Sequence, residues 1–566
     1  MQPAVHLLLD YLEREGVEYI FGIPGGPIMP LYEALYARGR IKPVLTKHEE
    51  GAAFMADGYA RASGRIGVCC TTTGPGATNA LTGLAVSFAD QVPVLLLTAQ
   101  VPTHQFGMGA FQESGPETID LVGLFKPVTK WSAMIPHPER TAAYVRAALR
   151  TMQSGRPGPV HLNIPLDFIG RPIEEEGEFV AVPRYRFAGE LFDRRSVREA
   201  AERLLTARRP VILAGHGVNV SRAWKPLRAL AERLRVPVAT TFKAKGALPE
   251  DHPLSLGVFG YSGHPETQEF VLSVETDLLF VVGSSLGEVS SCGFDPRLAQ
   301  KKSFLQLDVD AGAIGRNFPV DVGLPGDATA VLVELRYEIE RRLKSGWAAA
   351  PPFSPPMRRS EDAESAAPEE GLSPRAVLRE LREALPRNAT VFVDNGSIRA
   401  WAGRYFPVHR ENSFFVNMGM ASMGYAVAAS VGGKLARPGS PVVALVGDAA
   451  FAMNGMEVHT AVEHQVPVIW VVINNGGHGM IYHGEKAQFG GTFCSSVFRR
   501  ALDIAGIARG LGAQAVRVES PGELVSAVRR SLTAGGPVVI DVLTDLKEPP
   551  PMGSRVRSLQ KQLAAA

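Results

Sequence analysis

Cysteine is scarce in this chain: Cys69, Cys70, Cys292 and Cys494 are the four among 566 residues. That is too few for a disulfide framework. The adjacent Cys69 and Cys70 read as small buried strand residues of a protein from a reducing compartment. An excess of one charge is also lacking. The formal net charge of +2 supplies neither a basic field for nucleic acid nor an acidic tail. No apolar run reaches the roughly 18 residues that a membrane span requires. The start, "MQPAVHLLLDYLEREGVEYIFGIPGG", carries charge too early for a secretory signal and begins an amphipathic helix. Short-period repeats are absent. What remains is a cytoplasmic globular protein with no nucleic-acid or membrane partner. Its 45% hydrophobic and 20% charged residues are the ordinary balance for one.

What is present is a repeated alternation. Short Val-, Ile- and Leu-rich runs bounded by Gly or Pro ("YIFGI", "IGVCCTTT", "PVLLLTAQ", "PVHLNIP") alternate with helical patterns. A second set ("PVILAG", "VPVATTF", "DLLFVVGSS", "SFLQLDVD") and a third ("TVFVDNG", "PVVALVGD", "PVIWVVINN", "PVVIDVL") follow. Continuous apolar strands separated by helices predict parallel sheets covered on both faces. A chain of this length exceeds one core. The expected fold is α/β, with three doubly wound parallel-sheet domains at 1–170, 190–345 and 374–548. The Pro-, Ala- and Ser-rich segment 346–373 reads as a linker.

Two strand ends carry unusual polar corners. Val442–Val446 runs into Gly447 and Asp448, and Val468–Ile473 into Asn474 and Asn475. In open α/β sheets, ligands gather at the carboxyl ends of strands. An Asp carboxylate, the Asn475 carbonyl and the main-chain carbonyl of Gly477 are hard oxygen donors of the kind magnesium takes together with phosphate oxygens. Ala449 and Ala450 open a helix whose first amides face the same corner. Taken singly, Asp448 reads as a helix cap and Asn475 as a turn residue; together, at two strand ends, they read as a cation and phosphate site.

The Gly-Asp and Asn-Asn pair at this separation resembles the diphosphate-binding domain of thiamine-diphosphate enzymes. The N-terminal third, "KHEEGAAFMADGYARASG" with "TTTGPGATNALTGLAVSFADQVPVLLLTAQVP", resembles their pyrimidine-binding domain. Likeness is greatest to acetolactate (acetohydroxyacid) synthases, and it extends over "FGIPGGPIMPLYEAL", "GALPEDHPLSLG" and "DVDAGAIGRNFPVDV". The resemblance implies a pyrimidine-binding, central and diphosphate-binding order of domains. It implies thiamine diphosphate and Mg2+ as cofactors, and Asp448, Asn475 and Gly477 as metal ligands. It also implies decarboxylation of a 2-keto acid, with pyruvate expected, and ligation to a keto or aldehyde acceptor. The glutamate that reaches the cofactor's pyrimidine falls on Glu49, eight residues before Asp57, rather than on Glu50. A partly buried carboxylate there would pass the proton that activates the cofactor. Gly25, Phe111 and Gln112 match residues facing the reacting carbon from a partner subunit. Met423 matches the apolar wedge under the cofactor. Asn395, Gly396, Ser397, Gly447, Ala449, Ala450, His478, Gly479 and Met480 fill the rest of the cofactor corner. Because Glu49 and Asp448 lie on different domains, a homodimer is the minimum and a homotetramer the expected assembly.

The chain also departs from that family. Gly484 stands where the synthases carry a tryptophan, which enlarges the acceptor side. The central domain has "VVGSSLGEVSSCGFDPR" in place of an Arg-Phe-Asp-Asp-Arg run, and this leaves both FAD and the second substrate open. Other readings are a 2-hydroxyacyl-CoA lyase or oxalyl-CoA decarboxylase, a simple 2-keto acid decarboxylase, and a catalytically silent relative. A clear basic cluster for a CoA tail and a His-His pair near position 110 are both lacking, which argues against the first two. Retention of Glu49, Asp448 and Asn475 together argues against the third.

Overall fold

The computed structural model describes residues 2–173, 180–186, 191–347, 372–491 and 495–552. The expected linker lies mostly outside these residues, as do Cys494 and the C-terminal tail from 553. Three six-stranded sheets, parallel throughout, carry the chain, in agreement with the expected α/β class. The first comprises Tyr19–Ile23, Lys42–Leu45, Gly67–Thr71, Val94–Gln100, Trp131–Met134 and Val160–Pro165. Read across the sheet, its strands come second, first, third, fourth, sixth, fifth. The last sheet comprises Thr390–Val393, Phe414–Val416, Val442–Gly447, Val468–Asn474, Gln514–Val518 and Val538–Leu543, in that same spatial order. The central sheet differs. Its strands Pro210–Ala214, Val238–Thr241, Ser255–Phe259, Leu278–Val282, Ser303–Asp308 and Val322–Pro325 lie third, second, first, fourth, fifth, sixth. Cys69 and Cys70 are buried on the third strand of the first sheet.

Sheets covered on both faces require strands that are apolar throughout, and Val94–Gln100 and Val468–Asn474 are buried at every position. One hydrophobic cluster runs from the first unit into the last. At its centre, helix Glu49–Ser63 packs against helix Tyr425–Ala436. Their backbones approach closely because glycines face the partner helix. A Cβ at Gly58 would overlap the Ala429 carbonyl, and one at Gly432 would overlap that of Met55.

A charged network is buried beside this contact. Arg61 donates from Nε to Asp57 (2.5 Å), from Nη2 to Asp90 (3.1 Å) and from Nη1 to the Val416 carbonyl (2.9 Å). Asp57 also accepts from Tyr425 Oη (2.7 Å) and Ser87 Oγ (2.9 Å). Asp90 accepts in addition from Lys243 Nζ of the central unit and from the amides of Met418 and Gly419. Burial works against its ionisation, but Lys243 and Arg61 beside it hold its carboxyl well below the usual range.

The glycine contact yields a stability prediction. Gly58→Ala should destabilise the protein by about 1–3 kcal/mol through overpacking, read as a lower midpoint in denaturant. Gly510→Ala, at a helical position with open space around the new Cβ, should leave the midpoint unchanged or raise it. Equal midpoints for the two variants would contradict the role of the close approach.

Candidate active site

In the last sheet, the strand order reverses between the first strand, Thr390–Val393, and the third, Val442–Gly447. Such a reversal opens a crevice at the carboxyl ends. A cavity of about 810 Å3 lies there. Asn395, Gly396 and Ser397, beyond the first strand, line it, together with Gly447, Asp448, Ala449 and Ala450 at the end of the third. Asn475, Gly477, His478, Gly479 and Met480, beyond the fourth strand, complete that wall, and Met423 lies in the cavity lining as well.

Asp448 is almost fully buried. Its Oδ1 accepts from the Ala449 amide (2.9 Å), and its Oδ2 accepts from the amides of Gly476 (2.9 Å) and Gly477 (3.1 Å). Burial pushes the carboxyl up to about 6, against these three N–H groups that favour its ionised form. The two asparagines divide their work. Asn474 Nδ2 donates to the Leu502 carbonyl and to Asp541, so it serves the sheet, whereas Asn475 faces the cavity. Ser397 Oγ is buried with no partner. Gly479 leaves a hollow between these groups, for a Cβ there would lie 2.8 Å from Asn475 Nδ2 and 3.1 Å from Ser397 Oγ. Gly396 takes φ +108°, a conformation that favours glycine, and starts helix Ser397–Tyr405. An oxygen-rich donor set, an orphaned hydroxyl, a side-chain-free hollow and two helix N-termini together fit a metal-bound diphosphate.

Asp394 and Ala421, which the sequence did not single out, shape this corner together with Asn395, which it did. Asn395 lines the cavity, but its Nδ2 is spent on Asn417 and the Ser422 carbonyl, and its amide donates to Asp394. It therefore holds the 417–423 segment in place. Asp394, fully buried, accepts from the Gly424 (3.0 Å) and Ala426 (2.7 Å) amides and so fixes the position of Met423. Burial pushes its carboxyl up to about 7. Ala421 is held at φ +58° in the same segment, a strain of the kind kept at functional sites. An aspartate at the strand end in "FVDNG" was the available signal.

Glu49, Gly25, Phe111 and Gln112 are not among the residues lining this cavity. They belong to the reversal point of the first sheet. Glu49 opens helix Glu49–Ser63, is 7% exposed, and accepts from Asn79 Nδ2 at 2.9 Å. A Cβ at Gly76 would lie 3.2 Å from its Oε1, and one at Gly25 would strike Thr72. Gln112 is held at φ +61° beside Gly74, and Phe111 is exposed. Glu50 turns the other way, toward Asn454 Nδ2 (3.1 Å). Buried Glu457 of the last unit accepts from the amides of Lys47 (3.1 Å) and His48 (2.9 Å), and so sets where Glu49 begins. One chain thus presents two clusters of polar residues at equivalent points of two like-ordered sheets.

A second cavity, of about 480 Å3, opens at the reversal point of the central sheet, beside His216 and Ser284. Gly217 and Gly283 meet there too closely for side chains. Arg61, Arg156, Arg186, Arg222 and Lys243 line the cavity together with Asp308 and Asp327, and these cations are engaged within the chain: Arg61 and Lys243 by Asp90, Arg156 by Asp308, Arg186 by Glu15 and Arg222 by the Ser63 carbonyl.

Three family models match in order. "Thiamine pyrophosphate enzyme, N-terminal TPP binding domain" covers residues 3–121, the corresponding central domain 197–335, and the C-terminal TPP binding domain 394–542. A "Probable acetolactate synthase large subunit" of Methanocaldococcus jannaschii is 34% identical, over 96% of this chain and 92% of its own length. An "Acetolactate synthase" of Arthrospira platensis is 33% identical, over 94% of this chain and 93% of its own. The "Acetolactate synthase isozyme 1 large subunit" of Escherichia coli is 30% identical, over 96% and 94%.

The hollow at Gly479 is directly testable. Gly479→Ala should weaken thiamine pyrophosphate binding about tenfold or more, equivalent to about 1.4 kcal/mol, with little change in thermal midpoint. Calorimetric titration that gave wild-type affinity would show that the hollow holds no part of the cofactor.

Proposed function

The chain belongs to the thiamine pyrophosphate enzyme family and is an enzyme of the acetolactate synthase type, and we propose that it decarboxylates pyruvate and ligates the product to a keto or aldehyde acceptor. The observation that carries this is the convergence of Asp448, Asn475, Ser397 and the Gly479 hollow at one reversal point. Bound thiamine diphosphate would supply the electron sink for decarboxylation and carbon–carbon bond formation.

The chain's own residues hold and orient. Asp448, Asn475 and the Gly477 carbonyl are the residues that would hold Mg2+. Amides at the starts of helices Ser397–Tyr405 and Gly479–Phe489 receive phosphate oxygens. Met423, in the cavity lining, would pack against the cofactor. Glu49 would hold and return a proton at the pyrimidine N1′, and Gly25, Phe111 and Gln112 would line the substrate side of the site. We assign residues 1–170 to pyrimidine binding, 190–345 to the central domain and 374–548 to diphosphate binding. Two half-sites in one chain make a homodimer the smallest complete unit, with a tetramer as the expected assembly. FAD, if carried, would occupy the second cavity, and flavin absorbance of the purified protein decides its occupancy. Product analysis with pyruvate, alone and with a panel of aldehydes and keto acids, tests the main reading. Free aldehyde without ligation would make the protein a simple decarboxylase instead.

Glu49→Gln should slow proton exchange at C2 of the bound cofactor by roughly a hundredfold or more, followed by NMR, with cofactor binding retained. An unchanged rate would move the role elsewhere. Mixing this variant with Asp448→Ala should restore activity that neither has alone, because one interface of the mixed dimer is intact.

Protons should compete with Mg2+ at Asp448. Its carboxyl binds a cation only when ionised, and burial raises it to about 6. Magnesium-dependent cofactor affinity should therefore be flat at higher pH and fall about tenfold per unit below that value. A profile flat down to the ordinary carboxylate range would refute the assignment.

Gly484 lines the cavity on helix Gly479–Phe489, and a Cβ there would meet nothing nearer than Gln488 Nε2 at 3.6 Å. Gly484→Trp should spare donor decarboxylation and reduce ligation to a bulky acceptor, relative to a small one, by about one to two decades. An unchanged ratio of large to small acceptor would reject a place for Gly484 in the acceptor pocket.

A further inference from the structure

The cofactor cavity must receive small anions, yet its lining is acidic. Glu288, Glu485, Asp545 and Glu548 face it in addition to Asp448. Among the described residues of that lining, Arg399 is the single arginine or lysine. It sits in the first turn of helix Ser397–Tyr405, and its Nη1 donates to Asn395 Oδ1. Asn395 is itself pinned by Asn417 and the Ser422 carbonyl, so the anchor of the guanidinium is rigid. The planar group then lies over the ring of Tyr261, at 5.3 Å from its centroid. Tyr261 comes from the central unit, so Arg399 is turned toward that wall, where Glu288 and Gly293 also lie.

Two donors on this wall are buried and unpartnered: Arg399 Nε and Tyr261 Oη. Leaving such donors unpaired is costly, and a built site for an acceptor group relieves the cost. The arginine fork offers the planar geometry that a carboxylate takes, and the phenol adds a third donor beside it. The diphosphate has partners of its own, at Asp448, Asn475, Ser397 and Gly479. We infer that Arg399 and Tyr261 bind the carboxylate of a 2-keto acid substrate and so select keto acids over neutral aldehydes. This rests on the carboligase reading above.

The test uses the holoenzyme and three variants: Arg399→Met, Arg399→Lys and Tyr261→Phe. Arg399→Met should raise the KM for pyruvate, or for a keto acid acceptor, about ten- to hundredfold with a smaller change in kcat. Arg399→Lys should recover part of the loss, since it keeps the charge and forfeits the fork. Tyr261→Phe should show a smaller rise in KM. Thiamine diphosphate affinity, by calorimetry, should be unchanged in all three. Calorimetric binding of oxamate, an unreactive keto acid mimic, should weaken in parallel with KM. A neutral aldehyde acceptor separates the sources. Unaltered aldehyde ligation assigns the site to the acceptor's carboxylate, and a parallel loss assigns it to the donor's. Weakened cofactor binding with unchanged oxamate affinity would overturn the inference and give Arg399 to the diphosphate. Unchanged affinity for both would overturn it as well. If the wild type proves unable to decarboxylate pyruvate, oxamate binding still reports on Arg399 independently of that failure.

Discussion

One buried carboxylate, Asp90, is shared by all three units and fixes the arrangement on which a wall of the cavity depends. It lies in the first unit, takes Lys243 from the central unit, and anchors the amides of Met418 and Gly419 in the last. Arg61 completes its shell and ties it to Asp57 and Tyr425. A charge in such a place costs several kcal/mol to desolvate, and removing one partner of a buried pair costs about 3–5 kcal/mol because the other is stranded. The network is thus weak evidence of net stability and strong evidence of a fixed arrangement. Met418 and Gly419 form part of the wall of both large cavities, so the carboxylate that joins the units also shapes the sites.

The glycine-lined contact of helices Glu49–Ser63 and Tyr425–Ala436 has a second consequence. It places the start of the first helix against Asn454 and Glu457 of the last unit. Glu50 is consumed in that contact and Glu49 is turned away from it, toward Asn79 and Gly76. Neighbouring glutamates of identical chemistry thereby acquire different partners. The distinction arises because successive side chains on a helix project about a hundred degrees apart, so one faces the packed partner and the other the open crevice.

The first and last sheets share one strand order, and each carries half of the proposed machinery at its reversal point. The first half contributes a buried carboxylate and a strained Gln112, and the last an oxygen-rich corner at Asp448 and Asn475. The central sheet, with a different order, opens on the second cavity instead. Function is thus distributed by topology: a crevice opens only where neighbouring connections leave in opposite directions.

Much of this was legible in the chain itself. Apolar runs of strand length, Gly and Pro at their ends, and polar residues at the carboxyl ends of two of them sufficed for the parallel α/β class and for Asp448 and Asn475, because strand burial and strand-end placement are local properties. The same local pattern made Asn395 look like a cofactor ligand, whereas contacts with Asn417 and Ser422 occupy its side chain. Asp394, Glu457 and Asp90 passed unnoticed, since an isolated acidic residue in a sequence carries no sign of what it will accept a hydrogen bond from. Arg399 and Tyr261 lie well over a hundred residues apart, and their meeting depends on how the central unit docks on the last. Local periodicity determined which segments are buried and where the polar corners fall. Only the packing of one unit on another decided which buried charges are paired, which are left facing a cavity, and which of two adjacent glutamates the packed contact occupies.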